Sequence, residues 1–168
     1  MNELLDRLDK ALLAPVRWLE RFSDKVQDRI VGAILFVPSA TVLGIALSLT
    51  PDPAGLGTHR QLGLGGCTIL TMTGVPCPMC GMTTTFTHLA HLHLWEGVVN
   101  QPFGLVLFSL TVLVAVIGGL DLIRPGRRWK KALSWIDDRE GPIAYGLLGG
   151  MLAGWAYKVF MVNGLPPW

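Results

Sequence analysis

The stretch that decides the fold is "IVGAILFVPSATVLGIALSL", residues 30–49, because it is long, apolar and free of charged side chains. A helix needs about 20 such residues to cross the hydrocarbon core of a bilayer. A second uncharged run covers residues 103–120, and a third, 143–162, contains a single charge, Lys158, near its end. We expect Lys158 to extend its ammonium group to the membrane surface. The sequence therefore predicts three membrane-spanning helices.

The composition of the whole chain agrees with a membrane protein. Of its 168 residues, 51% are hydrophobic and 15% are charged, whereas soluble domains carry about 25% charged residues. The net charge is only +2, and membrane topology accounts for the basic residues. We therefore expect the lipid bilayer as a partner, with membrane protein subunits as further candidate partners, and no nucleic acid.

The distribution of basic residues predicts the orientation. Segments 1–29 and 121–142 carry six lysines or arginines each, whereas segment 50–102 has only Arg60. Basic segments next to membrane spans stay on the cytoplasmic side. We therefore expect the N-terminus in the cytoplasm and the tail, residues 163–168, outside.

Two cytoplasmic segments have helical patterns. In residues 1–29, apolar side chains recur every three or four positions, which predicts an amphipathic helix on the membrane surface rather than a signal peptide. Residues 30–162 would then form a single membrane domain. The segment "RPGRRWKKALSWIDDREG", residues 124–141, suits either an interfacial helix, with Trp129 and Trp135 at headgroup level, or a solvated connector.

The third predicted span has glycines at positions 146, 150 and 154. Small residues at this spacing allow a second helix to approach closely in lipid. We expect Gly146, Gly150 and Gly154 to pack against another helix of the same chain, with dimerisation as the alternative.

The Cys/His segment, residues 64–97, lies on the predicted outer side. The run "LGLGGCTILTMTGVP", residues 62–76, is apolar but too short to cross, which suits a re-entrant or interfacial arm. "GVPCPMCG", residues 74–81, then turns the chain. Pro78 suits the first position of a helix, and the pattern is helical from there to Trp95. The predicted fold is thus all-α, with three transmembrane helices, an N-terminal amphipathic helix and an extracytoplasmic re-entrant helix–turn–helix.

On one continuous helix, the offsets of this segment would gather soft ligands. Cys80, Thr84, His88 and His91 are four, four and three residues apart, and such positions share a helical face. Thiols and imidazoles are ligands of zinc and copper. The metal ligands predicted on this basis are Cys67, Cys77, Cys80, His88 and His91.

Two other interpretations remain open for the cysteines. A Cys-x-x-Cys at a helix N-terminus can act in redox chemistry, so Cys77 and Cys80, with Cys67 as a further partner, could form a membrane thiol–disulfide oxidoreductase. Alternatively, a disulfide could close the turn as a structural staple. Because the sequence has no hydrolase constellation or phosphate-binding glycine loop, we expect a binding or accessory role rather than an enzyme.

The cysteine motif also resembles a known family. A first Cys, a Cys-Pro-x-Cys-Gly-x-Thr core and a later Asn-Pro are typical of the small bacterial membrane proteins grouped as domain of unknown function 2752. The matching residues are Cys67, Cys77, Pro78, Cys80, Gly81 and Thr83. The resemblance covers about residues 64–120. It implies that the three cysteines act as a set and that the location is the bacterial cytoplasmic (inner) membrane. Thr84 stands where the family tends to have Arg, and Gln101-Pro102 stands for Asn-Pro.

Overall fold

The computed structural model describes residues 21–164, and this part of the chain is entirely helical. Its seven α-helices and one 3-10 helix are, in order, α1 Asp24–Ser48, the 3-10 helix Thr58–Leu62, α2 Thr68–Thr73, α3 Met82–Ala90, α4 Leu94–Asn100, α5 Pro102–Ile123, α6 Arg128–Asp137 and α7 Glu140–Asn163. No strand occurs between residues 21 and 164. The predicted all-α class is therefore confirmed.

Two helices, α1 and α5, are long and apolar enough to cross a membrane. In an 18-residue window within each helix, the mean hydropathy is 2.3 for α1 and 2.5 for α5. Only 11% and 22% of the residues in these windows are buried inside the protein. A soluble protein rarely exposes apolar surface of this extent. The spans predicted at 30–49 and 103–120 are thus confirmed as candidate membrane-spanning helices.

The beginning of α1 differs from the prediction. Residues 24–29, which were assigned to a separate amphipathic helix, continue directly into the apolar part of α1. Residues 1–20 of the predicted amphipathic helix lie outside the described part of the chain.

The third predicted span also forms a helix. It is α7, which has 24 residues and encloses the predicted range 143–162. Within residues 21–164, however, only α1 and α5 meet the length and apolarity expected of a span. Glycines and Lys158 reduce the apolar character of α7, and its passage through the bilayer remains a prediction.

The backbones of α1 and α5 touch where two glycines meet. A Cβ atom placed on Gly32 would lie 2.8 Å from the carbonyl oxygen of Gly118, and a Cβ on Gly118 would lie 2.8 Å from that of Gly32. Two backbones can approach this closely only where neither residue has a side chain. This contact sets the spacing of the two candidate spans, and it runs between antiparallel helices.

Buried carboxylates close one end of this helix pair. Asp28 of α1 accepts hydrogen bonds from the Arg127 backbone N–H at 3.1 Å and from the Trp129 indole at 2.8 Å. Asp121 of α5 accepts bonds from the Arg128 guanidinium and the Trp129 backbone N–H, both at 2.9 Å. Because both carboxylates are buried, these donors are needed to compensate for their lost hydration.

Segment 124–141 contains the helix α6, which is one of the two forms predicted for it. The Trp129 indole, predicted at headgroup level, donates a hydrogen bond to Asp28 within the protein. Trp135 remains exposed, and the guanidinium carbon of Arg139 lies 5.0 Å from the centroid of the Trp135 ring. The donors of Trp129 therefore help to fix α6 to the ends of α1 and α5.

The glycines of α7 contact the beginning of α5. Cβ atoms placed on Gly150 and Gly154 would lie 3.1 Å and 2.8 Å from atoms of the Phe103 side chain, whereas nothing lies within 4 Å of such an atom on Gly146. Since Phe103 is at the start of α5 and Gly154 is in the second half of α7, these helices are antiparallel. Two of the three predicted glycines thus lie at an intramolecular contact.

We predict that Gly32→Val destabilises the protein by about 1–3 kcal/mol, because the added side chain collides with backbone atoms that cannot move aside. Gly44→Val is the matched control, since Gly44 lies in the same helix with nothing within 4 Å of an added Cβ. Thermal unfolding in detergent measures both. Equal shifts in the unfolding midpoint for the two variants would contradict the close contact between α1 and α5.

Candidate thiol site

A tight turn presents two of the three cysteines. In this turn, residues 77–81, the Cys80 N–H donates to the Cys77 carbonyl at 2.9 Å, and Gly81 has a φ of +84°. This left-handed conformation favours glycine. A Cβ on Gly81 would also lie 3.0 Å from the Gly55 carbonyl oxygen and 3.0 Å from the Lys158 Nζ. Gly81 of the motif therefore satisfies both a backbone and a space requirement.

The turn corrects the predicted helix. α3 begins at Met82, after Gly81, and not at Pro78. It ends at Ala90, and α4 starts only at Leu94, since Leu92 has a φ of +63°. Cys80, Thr84, His88 and His91 therefore do not lie along one face of a continuous helix, and this premise of the sequence analysis is wrong.

The three cysteines nevertheless converge. Cys77 and Cys80 belong to the turn, whereas Cys67 precedes α2 on the other arm, and all three Sγ atoms lie within 4.8 Å of one another. The Sγ atoms of Cys77 and Cys80 are 3.4 Å apart. Cys80 is 7% exposed, Cys67 and Cys77 are half-buried, and all three are free thiols. The fold thus brings Cys67 next to Cys77, which follows it by ten residues in the sequence.

The thiols line a cavity of about 280 Å³. His59, Arg60, Met79, Thr83 and Thr84 contribute to its wall. The buried hydroxyl groups of Thr84 and Thr58 are hydrogen-bonded at 2.8 Å, which ties the 3-10 helix to α3. The cavity thus offers three thiols, an imidazole, a thioether and a guanidinium to one small volume.

The environment gives the thiols different acidities. A hydrogen bond from the Leu70 backbone, assisted by the Cys80 side chain, lowers the pKa of Cys67 to about 7. Burial raises the pKa of Cys80 to about 12, and its hydrogen bonds with the Cys67 and Cys77 side chains act in the same direction. At neutral pH, Cys67 therefore supplies a thiolate more readily than Cys80, and the thiolate is the form that binds metals and attacks electrophiles.

The predicted histidine ligands lie apart from the thiols. His88 lines a different cavity, of about 750 Å³, together with Glu96 and Lys158. Burial lowers the pKa of His88, and the electrostatic influence of the neighbouring His93 ring acts in the same direction. The Nδ1 of His91 is 2.8 Å from the Thr87 carbonyl oxygen. The structure brings Cys67, Cys77 and Cys80 together, but it does not bring His88 or His91 to them.

A buried lysine anchors the turn from α7. Lys158 is 5% exposed, and its Nζ donates to the Asn100 Oδ1 at 2.7 Å, the Asn100 carbonyl at 3.1 Å and the Gly55 carbonyl at 3.3 Å. The Asn100 Nδ2 in turn donates to the Gly81 carbonyl at 3.0 Å and the Thr85 hydroxyl at 2.9 Å. The expectation that Lys158 reaches the membrane surface is therefore wrong, because its ammonium group is bound inside the protein.

Two aromatic residues of α7 reinforce this anchor. The Trp155 indole donates to the Pro76 carbonyl at 2.7 Å, and the Tyr157 hydroxyl donates to the Val99 carbonyl at 2.6 Å. Sequence reasoning missed Trp155 and Tyr157 and misplaced Lys158. The available signal was the cluster of polar groups at positions 155, 157 and 158 in an otherwise apolar helix, where such groups need partners.

Comparison with known proteins finds a family model that matches part of the chain. Residues 67–115 match the family model described as Protein of unknown function (DUF2752). This confirms the resemblance seen in the sequence. The DUF2752 region begins at Cys67, contains the whole turn and ends within α5, so all three converging cysteines belong to it. No curated protein and no solved structure matches the chain.

We predict that a brief pulse of iodoacetamide at pH 7 alkylates Cys67 before Cys80. The Cys67 thiol is about half ionised at its pKa of about 7, so its labelling rate should rise through pH 7 and level off above it, whereas the raised pKa keeps Cys80 protonated. Mass spectrometry of peptides locates the adducts. Labelling of Cys80 as fast as Cys67 at neutral pH would contradict the arrangement.

We predict that Asn100→Leu destabilises the protein by about 2 kcal/mol, because it removes hydrogen bonds to a buried ammonium group, and that it also speeds alkylation of Cys80 by loosening the turn. Asn163→Leu is the control, since Asn163 is exposed at the end of α7. Unfolding midpoints and Cys80 labelling rates measure the two effects. If both variants leave Cys80 equally protected, the anchor does not hold the turn.

Proposed function

We propose that the chain is a multi-pass membrane protein in which α1, α5 and α7 all cross the bilayer. The 24 residues of α7 span about 36 Å at 1.5 Å per residue, against about 30 Å of hydrocarbon. Its glycine contact with Phe103 supports an antiparallel arrangement of α7 beside α5. With α1 antiparallel to α5, this gives an up–down–up bundle.

The orientation we propose has the N-terminus in the cytoplasm of a bacterium and the cysteine segment outside the inner membrane. Segments 1–29 and 121–142 together carry twelve of the fourteen basic residues, which supports a cytoplasmic location for both. In an antiparallel bundle, the ends of α1 and α5 that bear Asp28 and Asp121 would then lie on the cytoplasmic side, and the thiol cavity would lie on the other side.

The cysteine segment would lie at the outer membrane surface. Met72 in α2 is 79% exposed, Leu92 is 81% exposed and Trp95 is 76% exposed. Large apolar side chains that are exposed together favour contact with lipid or with a membrane subunit, and tryptophan favours the interface. Their exposure supports a re-entrant or interfacial arm and a membrane-associated partner.

The biochemical function we propose is binding of a thiophilic metal ion, zinc or copper(I), by Cys67, Cys77 and Cys80. The convergence of the three Sγ atoms within 4.8 Å carries this proposal. Two thiolates on a tetrahedral zinc ion lie about 3.8 Å apart, given Zn–S bonds of about 2.3 Å. Shifts of about an ångström or less would therefore adapt these thiols to a metal. The role is one of binding or assisting a partner, not catalysis.

One observation favours a second candidate, the thiol–disulfide oxidoreductase. The lowered pKa of Cys67 supplies a nucleophile next to Cys77 and Cys80, and a thiolate is the attacking species in disulfide exchange. A structural disulfide in the turn is the third outcome that the following experiment separates.

We predict one zinc or copper(I) ion per chain in protein purified in detergent under reducing conditions, with three thiols protected from alkylation until a chelator removes the metal. Cys67→Ser, Cys77→Ser and the double variant should lose metal to a similar degree, because ligands of one ion act non-additively. Ser109→Ala, in the middle of α5, is a control. Elemental analysis and thiol counting decide the result. A metal-free chain with a permanent Cys77–Cys80 disulfide would contradict metal binding.

A further inference from the structure

His59 occupies a position that the sequence analysis did not consider. It lies in the 3-10 helix, eight residues before Cys67 and outside the Cys/His segment. The folded loop nevertheless brings His59 to the wall of the cavity of about 280 Å³ that Cys67, Cys77 and Cys80 line. Among the described histidines, His59 is the one that lines the thiol cavity.

The hydrogen bond of His59 determines its tautomer. The Nε2 of His59 is 3.1 Å from the Gly65 carbonyl oxygen. Because a carbonyl oxygen only accepts hydrogen bonds, Nε2 must carry the proton, and a neutral imidazole then keeps its lone pair on Nδ1. Histidines that bind metals are commonly held in this way, with the second ring nitrogen donating to a backbone carbonyl.

The backbone around His59 is anchored on both sides. The buried hydroxyl of Thr58 bonds to the Thr84 hydroxyl at 2.8 Å. On the other side, the Gln61 side chain donates to the Thr50 carbonyl at 2.6 Å and accepts from the Thr50 N–H at 3.1 Å. These bonds fix the 3-10 helix that carries His59 at the wall of the thiol cavity.

We propose that the Nδ1 of His59 is the fourth ligand of the metal, which makes the site a Cys3His zinc site. The inference rests on the proposed function of the three cysteines and specifies its metal. Three thiolates and one histidine form a recognised tetrahedral set for zinc. Three thiolates leave a net negative charge on the bound zinc ion, and the Arg60 guanidinium in the same cavity wall has the sign that offsets it.

Met79 is the rival for the fourth position. Its thioether lines the same cavity, and a thioether is a soft ligand that suits copper(I), whereas zinc in proteins is bound by thiolates, imidazoles and carboxylates. The two alternatives differ in one measurable respect, since the fourth ligand is a nitrogen in one and a sulfur in the other.

X-ray absorption at the zinc edge of the full-length protein, loaded with zinc in detergent micelles, tests the proposal. The native chain should give three sulfur ligands and one imidazole nitrogen. His59→Gln should lose the imidazole signal and bind zinc at least about 10-fold more weakly in competition with a chelator. His91→Gln and Met79→Leu should leave both the spectrum and the affinity unchanged, and they are the controls for a lost histidine and a lost thioether.

Each outcome separates this inference from the proposed function. A His59→Gln variant that keeps an imidazole nitrogen at its zinc, or that binds with native affinity, overturns the role of His59 while the three-cysteine site stands. A loss of affinity in Met79→Leu together with a four-sulfur spectrum of the native chain overturns it in favour of Met79 as the fourth ligand. A native chain that binds no metal overturns both the fourth ligand and the proposed function.

Discussion

The ammonium group of Lys158 sets the constraint on which the half of the structure that contains the cysteines depends. A buried charge is costly unless hydrogen bonds replace its lost hydration, and all three acceptors of Lys158 belong to Gly55 and Asn100 in the segment between α1 and α5. The side-chain amide of Asn100 in turn donates a hydrogen bond to the Gly81 carbonyl. The end of α7, the start of α5 and the cysteine turn are therefore fixed relative to one another by a single polar network.

At the opposite end of α1 and α5, the buried charges that need hydrogen-bond partners are negative. Asp28 and Asp121 are buried carboxylates whose donors come from the loop and the first turn of α6. Between the two networks, Gly32 and Gly118 allow direct contact of the backbones. Hydrogen bonds therefore stabilise both ends of the helical arrangement, and close packing stabilises its middle. The thiol cavity is formed by short elements that these helices bring together.

The sequence predicted the parts of the fold that depend on local pattern. Long apolar runs gave α1, α5 and α7, and the Cys-Pro-x-Cys-Gly-x-Thr motif pointed to both the family and the set of three cysteines. Local pattern did not predict where α3 begins. Pro78 is compatible with a helix start, whereas the helix begins after Gly81, which has a positive φ and lies against Gly55 and Lys158, two residues distant in sequence.

Residues that act over long range were missed for the same reason. Lys158 suggested a surface position because a lysine near the end of an apolar helix commonly reaches water, but its partner Asn100 lies 58 residues away. His88 and His91 drew attention through their spacing to Cys80, yet the break at Gly81 removes that spacing. His59 gave no signal in the sequence, because only the folded loop brings it to the thiols.

Chemical cross-linking of the thiols in lipid nanodiscs tests the central claim most directly, namely that the Lys158 network holds two separate arms so that their thiols converge. A short bifunctional thiol reagent should join Cys67 to Cys77 or Cys80 in the native chain, as identified by mass spectrometry of the linked peptides. In Lys158→Met, the yield of this cross-link should fall sharply, while the yield of the Cys77–Cys80 cross-link within the turn persists. Exclusive cross-linking of Cys77 to Cys80 in the native chain, or a Cys67 cross-link unaffected by Lys158→Met, would contradict the account.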